Sequence, residues 1–276
     1  MNSIKLFSEI SKGDIKLVGG KGLSLALLTQ AGFPVPPGLV ITTIAYKSAQ
    51  NNQIGPDVEK EILAAFDALG ADRVAVRSSA IAEDSPDASW AGQFESFLNV
   101  QREQLIESVK KCWQSASSEI VKNYAESNST SDEQLAIAVA VQKMVESEVS
   151  GVAFSVNPIT KDNGEMMIEA IYGLGELLVQ GMITPDNYIV NRQTHEVTEK
   201  NIKTKTNMLV YRNGQNIEEA VPENKRDESC LNDEEISELA RLVDKIEKFY
   251  GKPQDIEWAL EDNEFYIVQS RPITTI

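Results

Sequence analysis

Residues 255–273 read DIEWALEDNEFYIVQSRPI and contain two alternating runs, DIEWALE and FYIVQSR. The alternation predicts a β-hairpin, and a three-residue turn at Asp262 to Glu264 would set Glu257 opposite Gln269, with Arg271 on the same face. A two-residue turn would put Gln269 on the other face from Glu257. The three-residue turn is favoured because it collects the apolar side chains on the opposite face: Ile256, Trp258, Leu260, Tyr266 and Val268.

Two earlier segments add positive charge to this set. GGKG at Gly19 to Gly22 contributes Lys21, and VRSSA at Val76 to Ala80 contributes Arg77. Together with the guanidinium of the predicted hairpin, these side chains supply three cations. Three cations with an acid and an amide are the groups that a triphosphate with magnesium requires.

The local patterns around these segments predict where their cations lie. The run Gly22 to Gln30 predicts an amphipathic helix, so that the glycines lie at its start. Arg73 to Arg77 predicts a strand with Val74 and Val76 on one face. Arg77 would then lie at the end of the strand and point the other way, and strand ends are common positions for functional sites.

The middle of the chain predicts a loop followed by strands. IAEDSPDASWAGQFES, residues 81–96, is a polar loop that could close over a ligand. AIAVAVQKMV and GVAFSVNP predict two adjacent buried strands. DNYIVNR, EVTEKNI and NMLVYR predict an antiparallel meander, with His195 in one of its turns. The helix predicted from Asn232 to Tyr250 begins with a capping box formed by Asn232 and Glu235.

Composition limits the class of protein. The chain has 276 residues, 42% of them hydrophobic, which is enough for a sizeable core. The net charge of −16 argues against a nucleic-acid backbone or an anionic membrane as the partner. No stretch of the sequence reaches the length of a membrane span, and two widely spaced cysteines predict neither a disulfide framework nor a zinc site. A cytoplasmic protein is expected.

Eight segments, in order along nearly the whole chain, resemble the amino-terminal ATP-binding domain of the pyruvate phosphate dikinase, phosphoenolpyruvate synthase and rifampicin phosphotransferase superfamily. They are LVGGKGLSLALL, GFPVPPGLVIT, VAVRSSAIAEDSPDASWAGQFESFLNV, VAVQKMV, SGVAFSVNP, EAIYGLGE, DIEWA and YIVQSRPITT. The resemblance implies an α+β, ATP-grasp-like fold with a nucleotide cleft between two lobes. The whole chain, 1–276, would be one such domain, with lobes of approximately 1–130 and 131–276.

The resemblance also implies a role for individual residues. ATP would be bound by Lys21, Arg77, Gly92, Ser96, Gln142, Met144, Val145, Glu257, Gln269 and Arg271. Within that set, Arg77 and Arg271 would act on the transferred phosphates, and Glu257 and Gln269 would hold Mg²⁺. The loop from Gly92 to Ser96 would close over the phosphates.

Other implied roles concern the base and the sugar. Gln142 and the following residues Lys143 to Val145 would edge the adenine pocket, with backbone groups contacting the base. Glu169 on a predicted strand and Glu176 after a glycine turn would lie near the ribose or the metal. For these two glutamates the sequence favours a structural role and a functional role equally.

Members of this superfamily pass a phosphoryl group from ATP to a histidine on a separate domain and then to pyruvate or another acceptor. The single histidine, His195, does not match such a segment and is expected to be an exposed turn residue. Three explanations follow. The chain is one subunit of a split enzyme whose partner polypeptide carries the phosphohistidine and acceptor domains, or a truncated product that binds ATP without turnover, or a nucleotide-sensing module. Intact Lys21, Arg77 and Arg271 argue against the last.

Overall fold

The computed structural model describes residues 3–49, 53–80, 95–116 and 136–274. The chain forms two compact units, Met1–Met144 and Val145–Ile276. Helices and antiparallel sheets occur together in the described residues, which confirms the predicted α+β class. The division at residue 144 differs from the lobe boundary expected near residue 130. Within the described ranges, no helix is both long enough and apolar enough to cross a bilayer.

An antiparallel sheet forms the centre of the first unit. Its described strands are β1 (Ile4–Leu6), β2 (Gly38–Ile41), β3 (Val74–Ala80), β4 (Ser96–Val100) and β5 (Ile137–Lys143). Their spatial order is β1-β2-β5-β3-β4. Strand β5 lies between β2 and β3 and completes this sheet, which explains why the first unit extends to Met144.

Helices cover the two faces of this sheet. On one face, α2 (Thr43–Ser48), α3 (Pro56–Leu69) and α4 (Leu105–Ala116) pack into an apolar cluster with alternate residues of the strands. On the other face, α1 (Ile15–Gln30) packs against Val40 and Ala138. The Gly70 cap that ends α3 adopts the left-handed conformation, which a glycine accepts without steric cost.

Helix α1 is broken at Gly19, where φ is 69° and ψ is 176°. That backbone conformation is essentially restricted to glycine. The sequence predicted a helix that starts at the glycines, but the helical backbone extends back to Ile15 and resumes after the break. The glycines therefore open only the longer second half of α1.

The second unit is built on a larger antiparallel sheet. Its described strands, in the spatial order β13-β12-β6-β7-β8-β9, are β13 (Glu264–Pro272), β12 (Gln254–Glu261), β6 (Val149–Phe154), β7 (Glu165–Tyr172), β8 (Asp186–Asn191) and β9 (Val197–Asn201). A separate hairpin pairs β10 (Asn207–Arg212) with β11 (Gln215–Ala220). Two predictions need correction: β5 and β6 belong to different sheets, and β10 leaves the predicted meander to pair with β11.

Two helices complete the described part of the second unit. Helix α5 (Glu176–Val179) is one turn long, and α6 (Asp233–Tyr250) packs on the sheet. The predicted capping box is confirmed, since Asn232 Oδ1 accepts the N–H groups of Glu234 and Glu235 and the Asn232 N–H donates to Glu235. The apolar stripe of α6 is buried, as the 3.6-residue period predicted.

Strands β12 and β13 pair in the expected register, but the turn that joins them differs from the predicted one. Glu257 pairs with Gln269, as the sequence predicted, and Asp255 pairs with Arg271. The turn contains two residues, Asp262 and Asn263, both with positive φ, which is the pattern of a type I′ turn. A bulge then restores the pairing, because Trp258 faces Ile267 while Glu257 faces Gln269.

The turn also changes which apolar residues are buried. Phe265 and Ile267 face Leu260 and Trp258 and are 5% and 0% exposed. The predicted core residues Tyr266 and Val268 are only partly buried. The shorter turn moves the buried positions of β13 by one residue up to the bulge.

Candidate functional site

Arg77 lies in the middle of β3, not at its end as the sequence predicted, because the strand continues to Ala80. It does point away from the face of Val74 and Val76, as expected, and therefore lies on the face that α1 covers. The Arg77 Nη2 group donates a hydrogen bond to Oε1 of Gln142 on β5. Arg77 is 7% exposed and Gln142 is 1% exposed, so the guanidinium is fixed by a buried neutral acceptor.

Lys21 lies on α1 just after the break at Gly19 and faces the same part of β3. Its Nζ donates to the backbone carbonyl of Ser78 at 3.0 Å, and the residue is 7% exposed. Backbone N–H groups at the start of a helix carry partial positive charge and lack partners within the helix. The structure thus brings Lys21, Arg77 and Gln142 together in the first unit.

The segment after Gln142 crosses from one unit to the other. The N–H groups of Lys143 and Met144 donate to the carbonyls of Pro37 and Arg73 at 2.8 and 3.1 Å. Those two donors are therefore engaged within the first unit, and contacts to a base would have to use the carbonyl groups here or the N–H of Val145. Val145 itself is buried.

The predicted phosphate loop lies mostly outside the described residues. Gly92 lies outside the described residues. Ser96 is the exposed first residue of β4, and it pairs with Arg77 across the strands. The Ser78 N–H donates to the carbonyl of Glu95 at 3.3 Å. The carboxyl end of the loop is thus attached to the strand that carries Arg77.

In the second unit, one face of the larger sheet collects the predicted acid, amide and guanidinium. Glu257 and Gln269 face each other across β12 and β13, and Arg271 projects from the same face. The row of Gln269 and Glu257 continues across β6 to Glu169 on β7, since Glu257 pairs with Val152 and Val152 pairs with Glu169. Directly opposite residues share a face, so these side chains lie together.

Asp255 also belongs to this face and was not among the predicted site residues. Its Oδ2 accepts a hydrogen bond from Nε of Arg271 at 2.8 Å and forms an ion pair with Nη2 of the same guanidinium, also at 2.8 Å. The signal was present in the sequence, because a register that pairs Glu257 with Gln269 also pairs Asp255 with Arg271. We call Glu169, Asp255, Glu257, Gln269 and Arg271 the acid–amide face.

Burial sets the protonation behaviour of two acids on this face. The pKa of Asp255 is raised, chiefly by burial, while the adjacent Arg271 lowers it and the charge of Glu257 raises it further. The pKa of Glu169 is raised by burial and by the charge of Asp255, against a hydrogen bond from Asn187. Negative charge is therefore costly here, so that a cation would be stabilised.

Glu176 lies at the first position of α5. Its pKa is also raised by burial, and a hydrogen bond from Gln180 opposes that change. Glu169 lies in the row of Glu257, whereas Glu176 belongs to a helix, and the expected role of Glu176 stays a prediction.

The donor set of the acid–amide face fits a hard cation. Carboxylates of Asp255 and Glu257 and the amide oxygen of Gln269 are the ligand type that Mg²⁺ prefers, usually one or two carboxylates with substrate phosphates. Among the described residues, no group of three or more His, Cys, Asp or Glu is arranged to hold a metal by itself. The protein groups would supply part of a coordination shell.

His195 lies in the turn between β8 and β9, with a φ of 58°. The predicted turn is confirmed, but the side chain is not exposed as expected. It is 18% accessible, and its Nε2 lies 3.7 Å from Asp244 Oδ2 on α6. His195 thus packs against a helix of its own unit.

The chain is similar to known proteins over most of its length. Residues 47–276 match the family described as pyruvate phosphate dikinase, AMP/ATP-binding domain. A probable phosphoenolpyruvate synthase of Archaeoglobus fulgidus is 40% identical over 98% of this chain and 41% of that protein. One from Methanocaldococcus jannaschii is 38% identical over 100% of this chain and 27% of that protein. Rifampicin phosphotransferase of Bacillus cereus is 37% identical over 98% of this chain and 36% of that protein.

The chain therefore spans less than half of each of these relatives. A solved D-alanine–D-alanine ligase from Helicobacter pylori is similar over 92% of this chain and 54% of its own, with 13% identity and a TM-score of 0.42. A likeness of that degree assigns no function to the chain.

Proposed function

Because the chain belongs to the pyruvate phosphate dikinase AMP/ATP-binding domain family, we propose that it binds Mg-ATP and prepares its phosphates for transfer to a histidine on a separate domain or polypeptide. The binding fold would be ATP-grasp-like. The partner would also carry the site of the final acceptor, which is pyruvate or another compound. We also propose a cytoplasmic location, with which the free, buried state of Cys112 and Cys230 is consistent.

The observation that carries the proposal is the pairing of Glu257 with Gln269 beside Arg271 on one face of the second sheet. Such a face combines metal-binding oxygens with a forked cation that can bind two phosphate oxygens at once. The same residues on separate faces could not act on one phosphate chain. The presence of Asp255 next to Arg271 adds support, because it fixes the guanidinium beside those oxygens.

The residues of the chain would act by positioning and charge neutralisation. Lys21 and Arg77 would bind phosphate oxygens, and Arg271 would bind the outer phosphates as charge shifts toward the leaving group. When bound at Glu257 and Gln269, Mg²⁺ would supply charge neutralisation between neighbouring phosphates. The segment from Gln142 to Val145 would contact the adenine, and the loop that includes Gly92 and Ser96 would exclude water.

The transfer itself needs no nucleophile from this chain. A lone pair of the acceptor imidazole forms the new P–N bond, a P–O bond of ATP breaks, and the leaving phosphate oxygen keeps that electron pair. His195 does not suit the acceptor role, since its ring packs against α6 and lies 3.7 Å from Asp244. We therefore assign the acceptor histidine to the partner.

Calorimetry with the whole chain tests the binding part of the proposal. We expect saturable binding of ATP in the presence of Mg²⁺, and loss of most of that affinity in Arg271→Ala. Arg212→Ala is a matched control, because Arg212 is an exposed arginine of the same unit that pairs with Glu219. Equal affinity in both variants would contradict the role of Arg271.

Transfer is tested by mixing the chain with labelled ATP and a polypeptide that carries the phosphohistidine domain of a phosphoenolpyruvate synthase. Acid-labile label on that polypeptide, dependent on Arg271, supports the proposal. Tight Mg-ATP binding without transfer to such polypeptides would favour the alternative, a nucleotide-binding module without turnover.

A further inference from the structure

We infer that Ser79 is a positioning residue for the phosphate-binding end of α1, where its hydroxyl fixes the turn that carries Lys21. The inference rests on the proposed role of Lys21 in binding phosphate. Ser79 lies on β3, two residues after Arg77, and is 0% exposed. In the sequence it belongs to the VRSSA segment, where Arg77 alone was assigned a role.

The break at Gly19 creates a hydrogen-bonding problem inside α1. Interrupting a helix leaves carbonyl groups before the break and N–H groups after it without their usual partners. The Ser79 hydroxyl serves both sides, since it donates to the carbonyl of Val18 at 2.7 Å and accepts from the N–H of Gly22 at 2.9 Å. A side chain from a strand thus caps the second half of the helix, a role usually filled by the residue that precedes the helix.

The glycines near this hydroxyl leave no space for a side chain at their own positions. A Cβ at Gly19 would lie 2.1 Å from the carbonyl oxygen of Ser79 and 2.5 Å from its Oγ. A Cβ at Gly22 would lie 2.8 Å from Cγ2 of Val40. Gly19 therefore allows α1 to approach β3 closely, and Gly22 allows it to approach β2. The close approach at Gly19 brings the backbone of the helix within reach of the serine.

Lys21 lies between the two groups that the strand holds. Its ammonium group binds the carbonyl of Ser78, while the N–H of the next residue, Gly22, binds the hydroxyl of Ser79. Consecutive strand residues thus fix the tip of Lys21 and the backbone beside it. Removing the hydroxyl would release the backbone beside Lys21, so the ammonium would be held by its contact with the Ser78 carbonyl alone and would be placed less precisely.

A double-mutant cycle measured by calorimetry tests this coupling. We expect Ser79→Ala to weaken Mg-ATP binding roughly tenfold, the effect of leaving buried backbone groups unsatisfied beside the ligand. In the background of Lys21→Ala the same substitution should change the affinity less than about twofold, because the side chain that Ser79 positions is absent. If Ser79→Ala does not fold, Ser79→Cys repeats the cycle with a weaker hydrogen-bonding group of similar shape.

Thr43→Val is the matched control. The Thr43 hydroxyl donates to the carbonyl of Lys16 at 2.9 Å, so it also binds α1, but before the break. Thr43 is 2% exposed. We expect Thr43→Val to lower the melting temperature as Ser79→Ala does and to leave the Mg-ATP affinity within about twofold.

The outcomes distinguish the inference about Ser79 from the proposed role of Lys21, on which it rests. An equal loss of affinity from Ser79→Ala with and without Lys21 would show a structural role alone and overturn the inference. The inference is also overturned if Thr43→Val weakens binding as much as Ser79→Ala. If Lys21→Ala alone leaves Mg-ATP affinity unchanged, the assigned role of Lys21 fails, and the inference fails with it.

Discussion

Replacing Gly151 by alanine would test whether the close spacing of β6 and β7 holds the acid–amide face together. A Cβ at this position would lie 1.8 Å from the backbone carbonyl oxygen of Glu169 and 2.7 Å from Cζ2 of Trp258. Neither obstacle is the mobile end of an exposed side chain, since Trp258 is 1% exposed and the carbonyl belongs to the strand ladder. Strand β6 would have to move away from β7.

The size of the effect follows from these contacts. Inserting a methyl group into a packed interior costs roughly 1–3 kcal/mol, and a clash with backbone places Gly151→Ala near the upper end, at about 3 kcal/mol. For a protein of this size that loss lowers the melting temperature by roughly 6–12 °C. Because β6 lies between the strands of Glu257 and Glu169, the Mg²⁺-dependent ATP affinity should fall as well.

Thermal unfolding followed by circular dichroism, with calorimetry for binding, measures both effects. Gly164→Ala is the control, since its Cβ would lie 3.1 Å from Oδ1 of Asp162, an exposed side chain that can move. It should change stability by less than about 0.5 kcal/mol. A Gly151→Ala melting temperature within about 2 °C of the control would refute the steric argument.

Three further predictions concern single side chains. Asp255→Asn should weaken Mg-ATP binding by roughly tenfold in calorimetry through looser placement of Arg271, yet change the unfolding free energy by less than about 1 kcal/mol, because the ion pair is partly exposed. Glu169→Gln should raise the melting temperature at pH 7 but not near pH 4.5: burial raises the Glu169 pKa, the folded protein binds that proton more tightly than the unfolded chain, and stability falls as pH rises through the folded pKa. Asn232→Ala should cost about 1 kcal/mol in denaturant unfolding, through loss of two hydrogen bonds at the start of α6.

The hairpin shows how far alternation alone can predict a site. The pairing of Glu257 with Gln269 was predicted correctly, although the turn has two residues and a bulge supplies the missing offset. Side-chain period fixes which residues share a face but cannot distinguish a longer turn from a shorter turn with a bulge. Because the turn is the shorter one, Phe265 and Ile267 are buried in place of Tyr266 and Val268.

Other predictions were wrong because tertiary contacts, and not the local sequence, determine the structure at those positions. The apolar runs of β5 and β6 are similar in sequence, yet they enter different sheets, because a continuous buried run carries no information about its neighbours. Arg77 was expected at a strand end, but pairing with β5 continues β3 to Ala80. The break in α1 depends on the approach to Ser79, which no local pattern around Gly19 indicates.

The composition of the acid–amide face suggests that metal and nucleotide bind together. In the proposed function, Glu257 and Gln269 would supply two oxygen ligands, and Asp255 would offer a third that is already engaged by Arg271. Among the described residues these do not amount to a closed metal site, and Mg²⁺ commonly completes its shell with water and substrate phosphates. The acids should therefore bind Mg²⁺ weakly without ATP, and calorimetry of the chain with Mg²⁺ alone should give little heat. Tight binding of the metal alone, at affinity equal to that with nucleotide, would contradict this account of the face.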